Sequence, residues 1–239
     1  MSQTFDPEAP LSLAIRGALG ALANRHSHQV IGLEHVPDGP CLLVVNHSLA
    51  TYDIALLMLR IWERTGRLPR ALGDRRLFDI PAAARLSRFF GAVKAGHRSA
   101  DNLLEAGNIV LVAPGGMREA IRSSESRYHV RWRTRQGFVK LAMRMQVPLV
   151  LAACPRADDL YTIRRSMVTR VAYDMLHLPV PVFHGNRFSL LPRSVRLVHR
   201  LAPAMQPPVL DPDDEEQVGR FHSQVVAAME QLMEQALAD

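Results

Sequence analysis

A chain of 239 residues, 48% of them apolar, is long enough to bury a large core and too hydrophobic to stay disordered. Lys94 and Lys140 are the only lysines among 29 basic residues, so arginine carries the formal charge of +6; its planar fork suits phosphate-bearing partners such as anionic lipid or a phosphorylated small molecule. No apolar run reaches the ~18 residues of a membrane span, the acidic opening MSQTFDPEAP does not read as a signal peptide, and no basic segment is interleaved with aromatics, which sets nucleic acid aside.

Residues 1–27 are read as an N-terminal segment built around one amphipathic helix. In LSLAIRGALGALANRHS, Leu11, Ile15, Ala18, Leu19 and Leu22 share a face, with Arg16 and Arg25 off it. Two readings stay open for it, a docking helix or an interfacial membrane helix. Then QVIGLEHV and CLLVVN read as strands joined by the turn PDGP. The stretch from Asp53 to Gly66 has helical period, with Gly66 as its stop. LFDIPAAARLSRFF reads as a turn and a helix, and GAVKA and NIVLVA as strands. Between those strands lies the helix SADNLLEAG, with Ser99 as N-cap and Gly107 just past its end. TRQGFVKLAMRMQ is expected to be a helix and VPLVLAAC a buried strand. Residues 156–177 look helical, 178–193 form a Pro/Gly-rich excursion, and SVRLVHRLA alternates like a strand. PPVLDPDDEE opens a last helix from Glu215 to about Ala238, its acids favoured by the helix dipole. Alternating strands and helices predict an α/β fold, a largely parallel central sheet flanked by helices. With no internal repeat or linker, residues 28–239 are taken as one domain. Cys41 and Cys154, each inside an apolar run, are expected to be reduced core residues of a cytoplasmic protein.

Chemistry concentrates in two places. In VVNHSLATYDIALL a β-run ends at His47, and Asp53 follows six residues later. On one helix they would lie ~9 Å apart along the axis and on different faces. They meet only if His47 ends the strand and Asp53 sits in the first turn of the next helix. A carboxylate accepting from one ring nitrogen fixes the tautomer and frees the other as a base, at the strand ends where open α/β sheets bind ligands. The competing reading is a satisfied loop histidine and an ordinary first-turn aspartate. In NIVLVAPGGMREAIRSS, Gly115 and Gly116 after a strand allow a sharp turn and close approach to a ligand, and Arg118 beside them suits an anion; a plain turn with a surface arginine has the same letters.

The G-x-S-x-G, G-x-x-x-x-G-K-[ST], G-x-G-x-x-G and H-E-x-x-H patterns are missing, and the remaining histidines lack metal spacing. Neither a metal nor a nucleotide cofactor is implied.

Taken together, NH-x5-D and the later PGGMREA resemble the glycerolipid acyltransferase superfamily, the diacylglycerol-acyltransferase-like and monoacylglycerol-acyltransferase-like branch above all. The mainstream glycerol-phosphate branch has four residues between His and Asp and a P-E-G-T-R element. Here there are five, the HxxxxxD spacing, and Gly115 stands in place of that Glu. GDRRLFDIP, RTRQGFVKLAM, VPLVLAACPRADDLY and PVFHGNRFSLLPRSVRLVH resemble the same branch, so the likeness covers roughly residues 30–235. It implies a glycerol-phosphate-acyltransferase-like fold and an O-acyltransferase of lipid metabolism and phospholipid biosynthesis. Acyl-coenzyme A would be co-substrate and a glycerolipid or related lipid hydroxyl the acceptor. His47 would be general base, Asp53 would orient it, and Arg118, Gly115, Gly116, Glu119 and Arg98 would form the substrate- or phosphate-binding set. Relatives in this branch commonly carry membrane-spanning helices, which this chain lacks, so contact with anionic lipid on the inner face of the membrane is expected to be peripheral. A non-catalytic lipid or acyl-chain carrier and an acyl-coenzyme A thioesterase are the alternatives on the same fold.

Overall fold

The computed structural model describes residues 10–73, 78, 79, 84, 91–164, 181–209 and 211–239. Its centre is β2 (Cys41–Val45), whose five residues CLLVV are all buried, as a parallel strand covered on both faces requires. The two-residue pleat divides them. Leu42 and Val44 join a core layer with Phe138, Val139, Val225 and Met229, while Cys41, Leu43 and Val45 join another with Ile54, Leu57, Met58 and Ile61.

β5 (Ile109–Val112) and β6 (Leu149–Ala153) flank β2, both parallel to it. Beyond β5 come β3 (Arg70–Gly73) and then β4 (Val93–Lys94), also parallel. On the other side β9 (Val198–Leu201) runs antiparallel to β6, and β1 (Gln29–Ile31) pairs parallel with β9. The order is β1-β9-β6-β2-β5-β3-β4, the largely parallel sheet that the alternating pattern predicts. Helices α2 (Tyr52–Thr65), α3 (His97–Glu105), α4 (Gly116–Ala120), α5 (Gly137–Met145) and α6 (Glu215–Ala238) connect or cover the strands. Gly66 ends α2 at φ 70. Asp214 caps α6, its carboxylate accepting from the N–H groups of Glu216 and Gln217.

α1 (Pro10–Arg25) docks on the body. Its Leu19 and Leu22 pack with Leu56, Ala157, Leu160 and Leu197, and the Arg16 guanidinium lies 4.6 Å over the Trp62 ring. Among the described residues no helix is long and apolar enough to cross a membrane. Cys41 and Cys154 are free and wholly buried.

Several boundaries differ from the expected ones. QVIGLEHV is not one strand: at Gly32 (φ 84) the chain turns, and Leu33–His35 is a 3₁₀ turn. A side chain at Gly32 would run into the Leu201 carbonyl, so the turn depends on glycine. β3 has no counterpart in the sequence pattern; its four residues are all half-buried and show no alternation. α3 starts at His97 after Gly96, which places Ser99 inside the helix and not at its cap. α5 starts at Gly137, three residues later than its pattern suggests. The expected helix over 156–177 is a 3₁₀ turn, Pro155–Leu160, followed by β7 (Thr162–Arg164). β7 pairs antiparallel with β8 (Val182–His184), inside the Pro/Gly-rich excursion. The rest of that helix, and nearly all of LFDIPAAARLSRFF, lie outside the described residues.

Candidate active site

β2 delivers His47 to the carboxyl rim of the sheet. Asn46 anchors the strand end: its side-chain amide donates to the Cys154 carbonyl (3.2 Å) and accepts the Cys154 N–H (2.8 Å). The loop from Ser48 returns through Thr51, a non-glycine residue at φ 59, straight into α2. Asp53 therefore sits in the first turn of α2, 1% exposed, where it accepts the Ser48 hydroxyl at 2.9 Å. Burial pushes the Asp53 carboxyl up to about 6 and the His47 imidazole down to about 4, because low polarity disfavours each charged form. His47 is half-buried. Its Nδ1 and Oδ2 of Asp53 are both buried without a hydrogen-bond partner. The structure thus brings the two residues to one strand–helix turn and leaves a donor site and an acceptor unsatisfied, but records no bond between them.

His47 is gripped through its backbone by the PGGMREAIR segment. The His47 N–H donates to Oε2 of Glu119 at 3.2 Å, and Nη1 of Arg122 donates to the His47 carbonyl at 3.3 Å. Glu119 is 0% exposed, and its Oε1 accepts the Arg131 N–H at 3.2 Å. Arg122 lies between two carboxylates, 3.7 Å from Glu119 and hydrogen-bonded to Asp158. Asp158 also accepts the Tyr128 N–H at 2.9 Å. Burial raises the Glu119 carboxyl to about 7, with the Arg122 charge opposing the rise. Glu119, expected in the substrate-binding set, has both oxygens on backbone N–H groups, those of His47 and Arg131. Asn46, Ser48, Arg122 and Asp158 do not stand out in the sequence. Arg122 lies just past the end of α4, three residues from Glu119, where the sequence gives no signal of its burial.

The two glycines lie at the turn expected of them but make room for the protein's own side chains. A Cβ on Gly115 would overlap the Glu119 carboxylate, and one on Gly116 (φ 52) would meet Nη1 of Arg135. Arg135 donates to the carbonyls of Pro114 (2.7 Å) and Gly115 (2.6 Å). The space that side chains at these two positions would need is taken by Glu119 and Arg135. Arg118, on α4, and Arg98, in the first turn of α3, are exposed. Arg98 follows β4, at the sheet edge three strands from β2. Beside the site, Leu49 lines a small pocket with Arg122, Arg127, Asp158 and Tyr161.

Behind Asp53 lies a line of buried polar groups. Asp53, Cys154 and His199 bring one donor atom each within 4.8 Å of one another, the one such group among the described residues able to hold a metal. His199 Nδ1 is 3.0 Å from His28 Nε2. Burial holds the Cys154 thiol well above and the His199 ring well below their ordinary values. A protonated thiol and a neutral ring suit a hydrogen-bonded cluster; a metal would require the thiolate.

Residues 27–154 match a family model described as Acyltransferase. A human protein named DGAT1/2-independent enzyme synthesizing storage lipids is 33% identical over 132 residues, 55% of this chain and 40% of that one. The mouse protein of the same name is 31% identical over 131 residues, with the same coverage of 55% and 40%. The chain spans less than half the length of these relatives. Among solved structures, the 1-acyl-sn-glycerophosphate (LPA) acyltransferase PlsC from Thermotoga maritima superposes with a TM-score of 0.55 at 16% identity, covering 97% of this chain and 84% of that one. At that identity the likeness is one of fold.

Proposed function

The chain belongs to the Acyltransferase family, and on that premise we propose that it moves a fatty acyl group from acyl-coenzyme A to a hydroxyl of a glycerolipid or related lipid acceptor. The observation that carries the reading is a neutral imidazole held at the sheet's carboxyl rim through both its backbone N–H and its carbonyl. Nε2 of His47 takes the proton of the acceptor hydroxyl as its oxygen attacks the thioester carbonyl. The tetrahedral intermediate collapses with loss of the coenzyme A sulfur, which leaves with the proton that His47 carried. Asp53 accepts Nδ1–H and stabilises the imidazolium; this contact satisfies the two atoms now without partners. No covalent acyl-enzyme is needed.

Arg118 is assigned to the phosphates of the donor or acceptor, exposed as it is on the helix whose other face braces His47. Arg98 is assigned to the same substrate. The arginine-rich surface and the half-exposed Leu13 on α1 support peripheral association with anionic lipid at the inner face of the membrane.

The test is purified protein with radiolabelled acyl-coenzyme A and a panel of lipid acceptors, resolved by lipid chromatography. Labelled acylated lipid that disappears in His47→Ala supports the proposal. Free thiol released at the same rate without acceptor makes the protein a thioesterase. Binding without turnover makes it a carrier.

A further inference from the structure

The loop after β8 carries the largest run of uncovered apolar side chains in the described residues. Phe188 is 78% exposed, Leu190 72% and Leu191 66%. Burying such groups is worth enough that three neighbours left bare mark a contact surface. The loop is built to hold them out. Arg187 (φ 48) and Phe188 (φ 63) both adopt left-handed backbone, rare for such residues. The turn is fixed by Gly185 N–H to the Ser189 carbonyl (2.6 Å) and Asn186 N–H to the Leu191 carbonyl (2.8 Å). The Ser189 N–H bonds the Asn186 carbonyl (2.9 Å), and the Leu191 N–H the Ser189 hydroxyl (3.1 Å). Gly185 is required, because a side chain there would overlap the Leu191 carbonyl. Tyr161 donates to the Leu190 carbonyl, and Arg193 ties the loop's end to the Asp159 carbonyl and the Thr162 hydroxyl.

We infer that Phe188, Leu190 and Leu191 form a wedge that docks into the interfacial layer of an anionic lipid surface. The N–H groups of Gly185, Asn186, Ser189 and Leu191 are already bonded within the loop and lose little on leaving water, and docking at the interfacial depth keeps the tip's other backbone groups beside headgroups and water. The charge fits the same partner: Arg187 is exposed at the tip, and Arg25, also exposed, donates to the Pro192 carbonyl. Ser194 in turn donates to the Arg25 carbonyl. The C-terminal end of α1 is thereby fastened to the wedge, and both are offered to headgroup phosphates. A second copy of the chain fits less well, since three side chains at a tip fall far short of the roughly 800 Å² per partner of a specific interface. The inference deepens the lipid-acceptor reading, but docking is measured without turnover.

The full chain carrying Leu190→Trp is mixed with vesicles of phosphatidylcholine and phosphatidylglycerol. Emission of the introduced tryptophan is expected to move to shorter wavelength and to be quenched by brominated acyl chains. Combined F188S, L190S and L191S is expected to weaken vesicle binding at least about tenfold with unchanged thermal unfolding. Arg187→Ser is expected to weaken it at low salt only. Unmoved emission of that tryptophan while the protein floats with vesicles overturns the inference, as does undiminished binding of the triple variant. A dimer by sedimentation that the triple variant dissolves overturns it in favour of a second copy. Vesicle docking in a protein that transfers no acyl group would sink the enzymatic reading and leave this one standing.

Discussion

Glu119 accepts the backbone N–H of His47 across 72 residues of chain, at 3.2 Å, with the other carboxylate oxygen on the Arg131 N–H. One buried acid thus ties the loop after β2 to the segment after β5 and to the approach to α5. The PGGMREA element is, in this chain, first a bracket for the imidazole.

Removing the bracket strands two N–H groups and takes from Arg122 one of its two carboxylates, leaving Asp158 and the backbone carbonyls of His47 and residue 119. Breaking a buried ion network in this way costs about 3–5 kcal/mol, so Glu119→Ala is expected to lower the melting temperature by roughly 10 °C, measured by calorimetry. Glu119→Gln keeps the shape and an acceptor and is expected to lose less. In both, kcat falls more than KM changes, because the reacting group is displaced and not the binding surface. An unmoved melting point in Glu119→Ala would contradict the role.

Gly115→Ala tests the same bracket from its other side. Gly115 has ordinary helical backbone (φ −64), so alanine costs nothing in conformation. Its methyl would instead occupy the position of the Glu119 carboxylate. Activity is expected to fall at least about tenfold by the misplacement argument. Gly107→Ala, at an open site with nothing near its Cβ, serves as a control and should leave activity unchanged, with only the modest stability cost of its φ of 78.

His47→Ala is expected to reduce transfer by about 10²–10⁴-fold, the usual range for a general base, with an intact far-ultraviolet circular dichroism spectrum. Asp53→Asn keeps the Ser48 contact and loses the negative charge, and is expected to cost severalfold or more. Near-normal turnover in purified His47→Ala would falsify the mechanism.

The pH profile follows from the opposite shifts of the pair. With His47 pushed down to about 4, the imidazole is neutral at neutral pH, and Asp53, at about 6, is mostly ionised there. As pH falls through about 6, Asp53 gains a proton and can no longer stabilise the imidazolium, so kcat/KM declines. In Asp53→Asn that proton site is gone, and the acid limb is expected to move toward the lower His47 value. A limb at the same pH in wild type and Asp53→Asn would assign it to another group.

Arg118→Ala is expected to raise KM for acyl donor or acceptor and leave kcat near wild type. Unchanged kinetics in steady-state assays would remove Arg118 from the substrate-binding set.

The architecture is legible where one signal dominates. CLLVV and VPLVLAAC lie on both-faced strands because continuous apolar runs of that length fit little else, and His47 and Asp53 fall at the expected strand end and helix start. β3 escapes the pattern because RALG is half-buried throughout and offers neither a run nor an alternation. The network of Glu119, Arg122 and Asp158 escapes it for a different reason. Its members sit in two segments brought together only by the β5-β2-β6 order, and charges in turns read from sequence as solvated. The glycines mark a place of close approach, and a missing side chain does not say by what; here the Glu119 and Arg135 side chains come close.

The family-matched stretch ends at residue 154, yet the sheet does not. β1, inside that stretch, pairs with β9 near residue 200, the wall behind Asp53 includes His199, and α6 supplies Val218, Phe221, Val225 and Met229 to the layer over β2. A fragment cut at the match boundary would therefore expose the flank of β6 and the part of the sheet face that α6 covers, an aggregation hazard. For anyone expressing or grafting this domain, the smallest workable unit runs through to the C-terminal helix.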